Sequence, residues 1–100
     1  MSLTIENIQN IVQEPCRRYD VKRLELFGSA AKGDVRDDSD LDFIVEFNSP
    51  DYKGMFDRYM GLLEDLEMNF KRKIDLLTSR SIRNPFFKNS VEREKTTVYG

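Results

Sequence analysis

The chain has 100 residues, 18 of them acidic and 16 basic, giving a net charge of −2, with no histidine and one cysteine. That length suits one domain with a single core, and the charge argues against a general nucleic-acid-binding surface, because such domains are usually strongly basic. The missing histidine excludes Ser-His-Asp hydrolysis, Cys-His catalysis and the usual His-containing zinc sites, leaving carboxylates, Lys, Arg, hydroxyls and metal as catalytic material.

With 39% hydrophobic and 34% charged residues the sequence reads as globular rather than disordered. No apolar run approaches the roughly 20 residues of a membrane span, and no signal peptide opens the chain. Cys16 has no partner for an intrachain disulfide, so a reducing cytoplasm is the expected compartment. One domain over residues 1–100 is expected, with no linker, repeat or low-complexity segment.

Thr4 is a helix cap, and Ile5, Ile8, Ile11 and Val12 line one face of the helix behind it. Pro15 is expected to kink that helix or end it early. Cys16 and Tyr19 would continue the apolar face if it resumes, with Cys16 as packing rather than a reactive thiol. Val21 to Phe27 reads as the first strand. Gly28 then permits a tight turn and close backbone approach, and Ser29 adds a hydroxyl where a helix starts. Free N–H groups at such a start favour an anion.

Gly33 to Asp38 is a turn-rich acidic loop whose Asp34, Asp37 and Asp38 read as solvated surface. An EF-hand beginning at Asp38 would need Gly at 43 and Glu at 49, where the chain has Phe43 and Ser49. A Walker A loop would need Ser or Thr after Lys32, where Gly33 stands. A haloacid-type phosphatase would carry its aspartates after a hydrophobic strand, whereas Phe43 to Phe47 follows them. Asp40 and Asp42 open the second strand two residues apart, which puts both carboxylates on one face with α-carbons roughly 6–7 Å apart. Like charges that close repel unless a cation lies between them, and oxygen ligands suit Mg²⁺.

Ser49-Pro50-Asp51 signals a helix start. The helix runs to about Phe70, with Met55, Phe56, Tyr59, Met60, Leu62, Leu63 and Leu66 as a broad stripe packed on the sheet, and Gly54 and Gly61 weakening it locally. Its position between strands two and three makes a parallel crossover possible. Lys73 to Thr78 is the third strand, with Asp75 between Ile74 and Leu76. A lone Asp there is either an edge residue facing water or a third ligand stabilised by a shared metal. Asn84-Pro85 caps a last helix with Phe86, Phe87 and Val91, and Thr96 to Tyr99 has β propensity. Arg80, Arg83 and Lys88 read as solvated surface.

Gly28-Ser29-x-Ala31-Lys32-Gly33 followed by Ser39-Asp40-x-Asp42 resembles the signature of the DNA polymerase β-like nucleotidyltransferases. The nearest likeness is their minimal branch, the MNT domain of prokaryotic MntA-type antitoxins. Lys32 stands where that family commonly has Arg, so a phosphate would lose bidentate geometry there. The resemblance implies an α/β (α+β) fold: a nucleotidyltransferase palm with a mixed β-sheet packed against helices. It also implies ATP phosphates on Gly28, Ser29 and Lys32, and two Mg²⁺ ions on Asp40, Asp42 and Asp75, with Asp75 nearest the incoming hydroxyl. A HEPN-domain toxin is the implied partner, with AMP transferred to one of its hydroxyls, a tyrosine by preference. Neither a membrane nor a direct nucleic-acid partner is expected. Two other readings stay open at this point: a catalytically silent module that neutralises a helical partner by complex formation, and a Mg²⁺- or nucleotide-sensing domain without turnover.

Overall fold

The computed structural model describes residues 4–28, 40–49, 54–79 and 95–100. The expected contributions of Ser29, Lys32, the 33–38 loop, the 84–91 helix, Arg80, Arg83 and Lys88 lie outside the described residues.

Helix α1 spans Ile5–Arg18 and is capped as expected, with the Asn7 amide donating to Thr4 Oγ1 at 3.1 Å. It does not end early at Pro15, which lies inside it. Proline removes one backbone bond and crowds the preceding turn, at a cost of ~3 kcal/mol. That cost is offset by a buried face of Ile8, Val12, Pro15 and Cys16 seated on the sheet. Cys16 is fully buried, and burial pushes its thiol up to about 12, in keeping with a packing role.

The strands are β1 (Val21–Phe27), β2 (Leu41–Phe47), β3 (Ile74–Thr78) and β4 (Thr96–Tyr99). They form one mixed sheet in the order β3-β2-β1-β4. β1 pairs antiparallel with both β2 and β4, while β2 and β3 are parallel, joined by the crossover through α2 (Met55–Phe70). Helix α2 begins on Gly54, which takes a left-handed conformation and gives no side-chain cap. Residues 50–53 are not described, so the use of that upstream signal is not seen.

Alternation gives the sheet two distinct faces. Leu24, Leu26, Leu41, Phe43, Val45, Ile74, Leu76 and Val98 join α1 and α2 in one core. Phe43 meets Phe70 with ring centroids 5.9 Å apart. The opposite face carries Glu25, Asp42, Ile44, Asp75 and Leu77 in neighbouring register positions. Glu25 is 7% exposed and is held there by Lys95 at 3.0 Å, which ties β1 to the start of β4. Gly61 in α2 does more than weaken a helix: a Cβ there would lie 2.4 Å from Tyr19 Cε1, so its absence lets the Tyr19 ring rest on α2. No described helix is long and apolar enough to cross a membrane.

Candidate active site

Three strand ends build the site, and the hydrogen-bond register decides which side chains meet. Phe27, the last residue of β1, is opposite Asp42, and Asp42 in turn is opposite Asp75 on the parallel neighbour β3. The sequence spacing pairs Asp42 with Asp40. In the fold the closer partner of Asp42 is Asp75, whose carboxyl is hydrogen-bonded to it, while Asp40 sits one residue before β2 and acts on Asp42 through its charge.

A hydrogen bond between two carboxyls requires a proton on one of them. The Asp42 carboxyl is accordingly raised to about 6, first by burial, then by the Asp75 hydrogen bond, and then by the charges of Asp75 and Asp40. Asp75 and Asp40 are both exposed, so the cluster opens outward. β3 is the outermost described strand on its side, and Asp75 is opposite Asp42 on the neighbouring strand.

Gly28 closes the third side. Its φ is +80°, a conformation that L side chains rarely adopt, and a Cβ there would lie 3.3 Å from Asp42 Oδ2. The backbone at Gly28 thus lies close to the Asp42 carboxylate with no side chain between. Ser29 and Lys32, the other expected phosphate contacts, are not among the described residues.

An all-oxygen donor set suits a hard divalent cation, and the mutual repulsion of Asp42 and Asp75 is what such an ion relieves. Among the described residues, no three His, Cys, Asp or Glu side chains are gathered closely enough to hold one ion. The assembled unit is the Asp42–Asp75 pair, with Asp40 beside it.

Beside the pair lies an open groove of about 530 Å³, lined also by Phe27, Tyr59, Leu63 and Leu77. Tyr59 and Leu63 pack against the core as the apolar stripe of α2 predicts, and they also line this groove, which the stripe alone does not show. The signal was present only in combination, since it needs the β2–β3 register and the α2 crossover together.

The nucleotidyltransferase domain family model matches residues 8–98. The chain belongs to that family. Among its relatives, a candidate protein adenylyltransferase of Methanocaldococcus jannaschii is 38% identical over 95 residues, covering 91% of this chain and 94% of the relative. The protein adenylyltransferase MntA of Thermococcus cleftensis is 30% identical over 100 residues, covering 96% of this chain and 97% of the relative. A solved candidate minimal nucleotidyltransferase superposes with a TM-score of 0.74 at 28% identity, covering 94% of this chain and 95% of that one. A Shewanella oneidensis structure of a tri-AMPylated HEPN toxin in complex with MNT antitoxin superposes with a TM-score of 0.65. At 18% identity, covering 96% of this chain and 72% of that one, the Shewanella match shows a shared fold. The resemblance carried by Gly28 to Asp42 and the mixed-sheet palm it implied both agree with these matches.

Proposed function

We propose that this nucleotidyltransferase transfers AMP from ATP to a protein hydroxyl, a tyrosine by preference, on a HEPN-type toxin partner, and so acts as an antitoxin. One observation carries the reading: the parallel register sets Asp42 opposite Asp75, with Gly28 in a left-handed conformation close to the Asp42 carboxylate. The full-length match to relatives named as protein adenylyltransferases supports the reaction class. The HEPN partner is suggested by the Shewanella neighbour.

In this reading the turn at Gly28 and Ser29, with Lys32, receives the triphosphate. Asp40, Asp42 and Asp75 are the groups that would hold two Mg²⁺ ions, which supply charge neutralisation at the phosphates and a lowered barrier to deprotonating the attacking hydroxyl. Asp75, exposed on the outer strand, faces the acceptor and takes the hydroxyl proton. The acceptor oxygen bonds to the α-phosphorus as the bond from that phosphorus to the bridging oxygen breaks, and pyrophosphate leaves. Docking of the partner supplies the orientation that a bimolecular transfer needs. The proposed compartment is the cytoplasm, where ATP and a HEPN partner are both at hand.

Co-expression with the partner followed by mass spectrometry tests this. The partner should gain adenylyl groups with the wild-type chain and none with Asp40→Ala or Asp42→Ala, while complex formation persists with all three. An unmodified partner held in a stoichiometric complex by the wild type would favour the second reading, a silent module that neutralises by binding. That alternative draws on the lack of a gathered three-ligand group among the described residues.

A further inference from the structure

β3 is the outermost described strand on its side of the sheet, so its outer edge has no described strand to pair with. The ladder to β2 decides which residues own that edge. The Leu41 amide donates to the Lys73 carbonyl at 3.4 Å, and along a parallel pair the residues that bond the neighbour alternate. Lys73, Asp75 and Leu77 therefore turn their backbone groups toward β2, while Ile74, Leu76 and Thr78 turn theirs outward. The outward carbonyl of Leu76, the middle residue of β3, accepts the hydroxyl proton of Tyr59 from α2. A groove of about 400 Å³ opens along the same edge, lined by Met55, Phe56 and Tyr59 of α2 and by Leu76, Leu77 and Thr78 of β3. Phe56 is 73% exposed there. A strand edge open beside exposed apolar surface is a template for a further strand.

We propose that Tyr59 is an edge guard. Its hydroxyl takes the central outward carbonyl of β3, with the ring behind it, and so keeps a second copy of this chain from adding its own β3 there. The second copy is the strand to exclude because the edge is complementary to itself. In an antiparallel pair centred on Leu76, the two Leu76 residues would exchange a pair of backbone bonds, and Ile74 would stand opposite the second copy's Thr78. All of these residues face outward, so the pairing needs neither a bulge nor a register shift. Tyr59 blocks it at its centre, and both copies would have to give up that hydroxyl bond at once.

The commoner protections of an edge are thin in this strand. β3 is Ile-Asp-Leu-Leu-Thr, with no proline and no lysine, and Asp75 is its one charged residue. Asp75 is also the residue that the pairing would harm. It would lie across from the second copy's Leu77, on the face that carries Asp42, with an apolar side chain against its exposed side. A guard that acts on the backbone of β3 from another element leaves Asp75 open for its own chemistry. Edge guarding is independent of the AMP-transfer reading, because it needs only the strand order and the Tyr59 hydroxyl.

Sedimentation velocity of the whole chain over a wide range of protein concentration tests this. Three proteins are compared: wild type, Tyr59→Phe, which removes the hydroxyl alone, and Tyr59→Leu, which removes the ring as well. Self-association should set in at a concentration at least about tenfold lower in Tyr59→Phe than in wild type, because each dimer no longer breaks two hydroxyl bonds. Tyr59→Leu should associate more tightly still, since the space beside the edge is then open. Amide signals of the ¹⁵N-labelled variants locate the contact: Ile74 and Leu76 should shift with protein concentration and gain protection from hydrogen exchange. Melting curves should stay close to wild type for Tyr59→Phe, which keeps the packed ring. The guard is overturned if neither variant associates more readily than wild type, or if the association leaves the Ile74 and Leu76 amides unprotected. It is overturned equally by a wild type that already pairs through β3, or by a Tyr59→Phe chain that fails to fold, because the hydroxyl would then hold the fold together rather than shield its edge.

Discussion

Replacing Asp42 by Asn should make the metal-free protein more stable and the enzyme inactive. The Asp42 carboxyl rises from 3.8 to about 6 in the fold, chiefly through burial and the neighbouring Asp75. A raised acid binds its proton more tightly when folded, so the stability it contributes is fully present below about pH 4 and is lost as the pH climbs through about 6. A shift of about 2 units corresponds to ~3 kcal/mol at most. The carboxyl is only partly buried, so solvent screening brings the usable figure down to roughly 1–2 kcal/mol. Asn is neutral throughout and its amide can donate to Asp75, so Asp42→Asn removes the repulsion at every pH. In EDTA at pH 8 the variant should melt higher than wild type by on the order of 5–10 °C, given ~4–8 °C per kcal/mol for a domain of this size. At pH 4 the two curves should nearly meet. Added Mg²⁺ should raise the wild-type midpoint and leave the variant where it was. A variant that melts at or below wild type at pH 8 would refute the reasoning, because the Asp42–Asp75 repulsion would then not exist in the folded protein.

Gly28→Val should abolish Mg²⁺-ATP binding by calorimetry, since the side chain meets Asp42 Oδ2 and the backbone conformation is one a β-branched residue rarely adopts; unchanged affinity would show that the turn does not approach the phosphates. Gly61→Ala gains ~1 kcal/mol of helix propensity but overlaps the Tyr19 ring, at a cost of roughly 1–3 kcal/mol. Chemical denaturation should therefore show a net loss of about 1 kcal/mol that turns into a gain in a Tyr19→Ala background, where the ring is gone.

Most of the scaffold was legible because its signals are local. Thr4 caps α1, the alternation of Val21 to Phe27 and of Leu41 to Phe47 marks two strands, and Gly28 sits where a left-handed turn is needed. What the sequence misplaced are features settled by distant contacts. Pro15 reads as a point where α1 kinks or ends early, and the helix does not end there, because the packing of its buried face against the sheet outweighs one lost backbone bond. Gly61 looked like a weak point in α2 and is in fact the seat of the Tyr19 ring, 42 residues away in sequence. The Asp40-x-Asp42 spacing is visible in any window of three residues, but the closer pairing of Asp42 with Asp75 is a matter of register between strands separated by a whole helix. Spacing along a chain cannot report a register across it.

That register also explains why so small a chain can carry such a site. A parallel neighbour requires a long crossover, and here the crossover is α2, whose Leu62 and Leu66 are buried in the core while Tyr59 and Leu63 reach the groove beside the carboxylates. One helix therefore serves three ends: it carries the chain back so that β3 runs parallel to β2, it fills the core, and it walls the groove. β3 is likewise shared, with Leu76 in the core, Asp75 beside Asp42, and Leu77 lining the groove next to them. The repulsion between Asp42 and Asp75 is what a bound cation would relieve, and because Leu76 of the same strand is buried in the core, a change that shifts β3 acts on the carboxylate pair and on the core together.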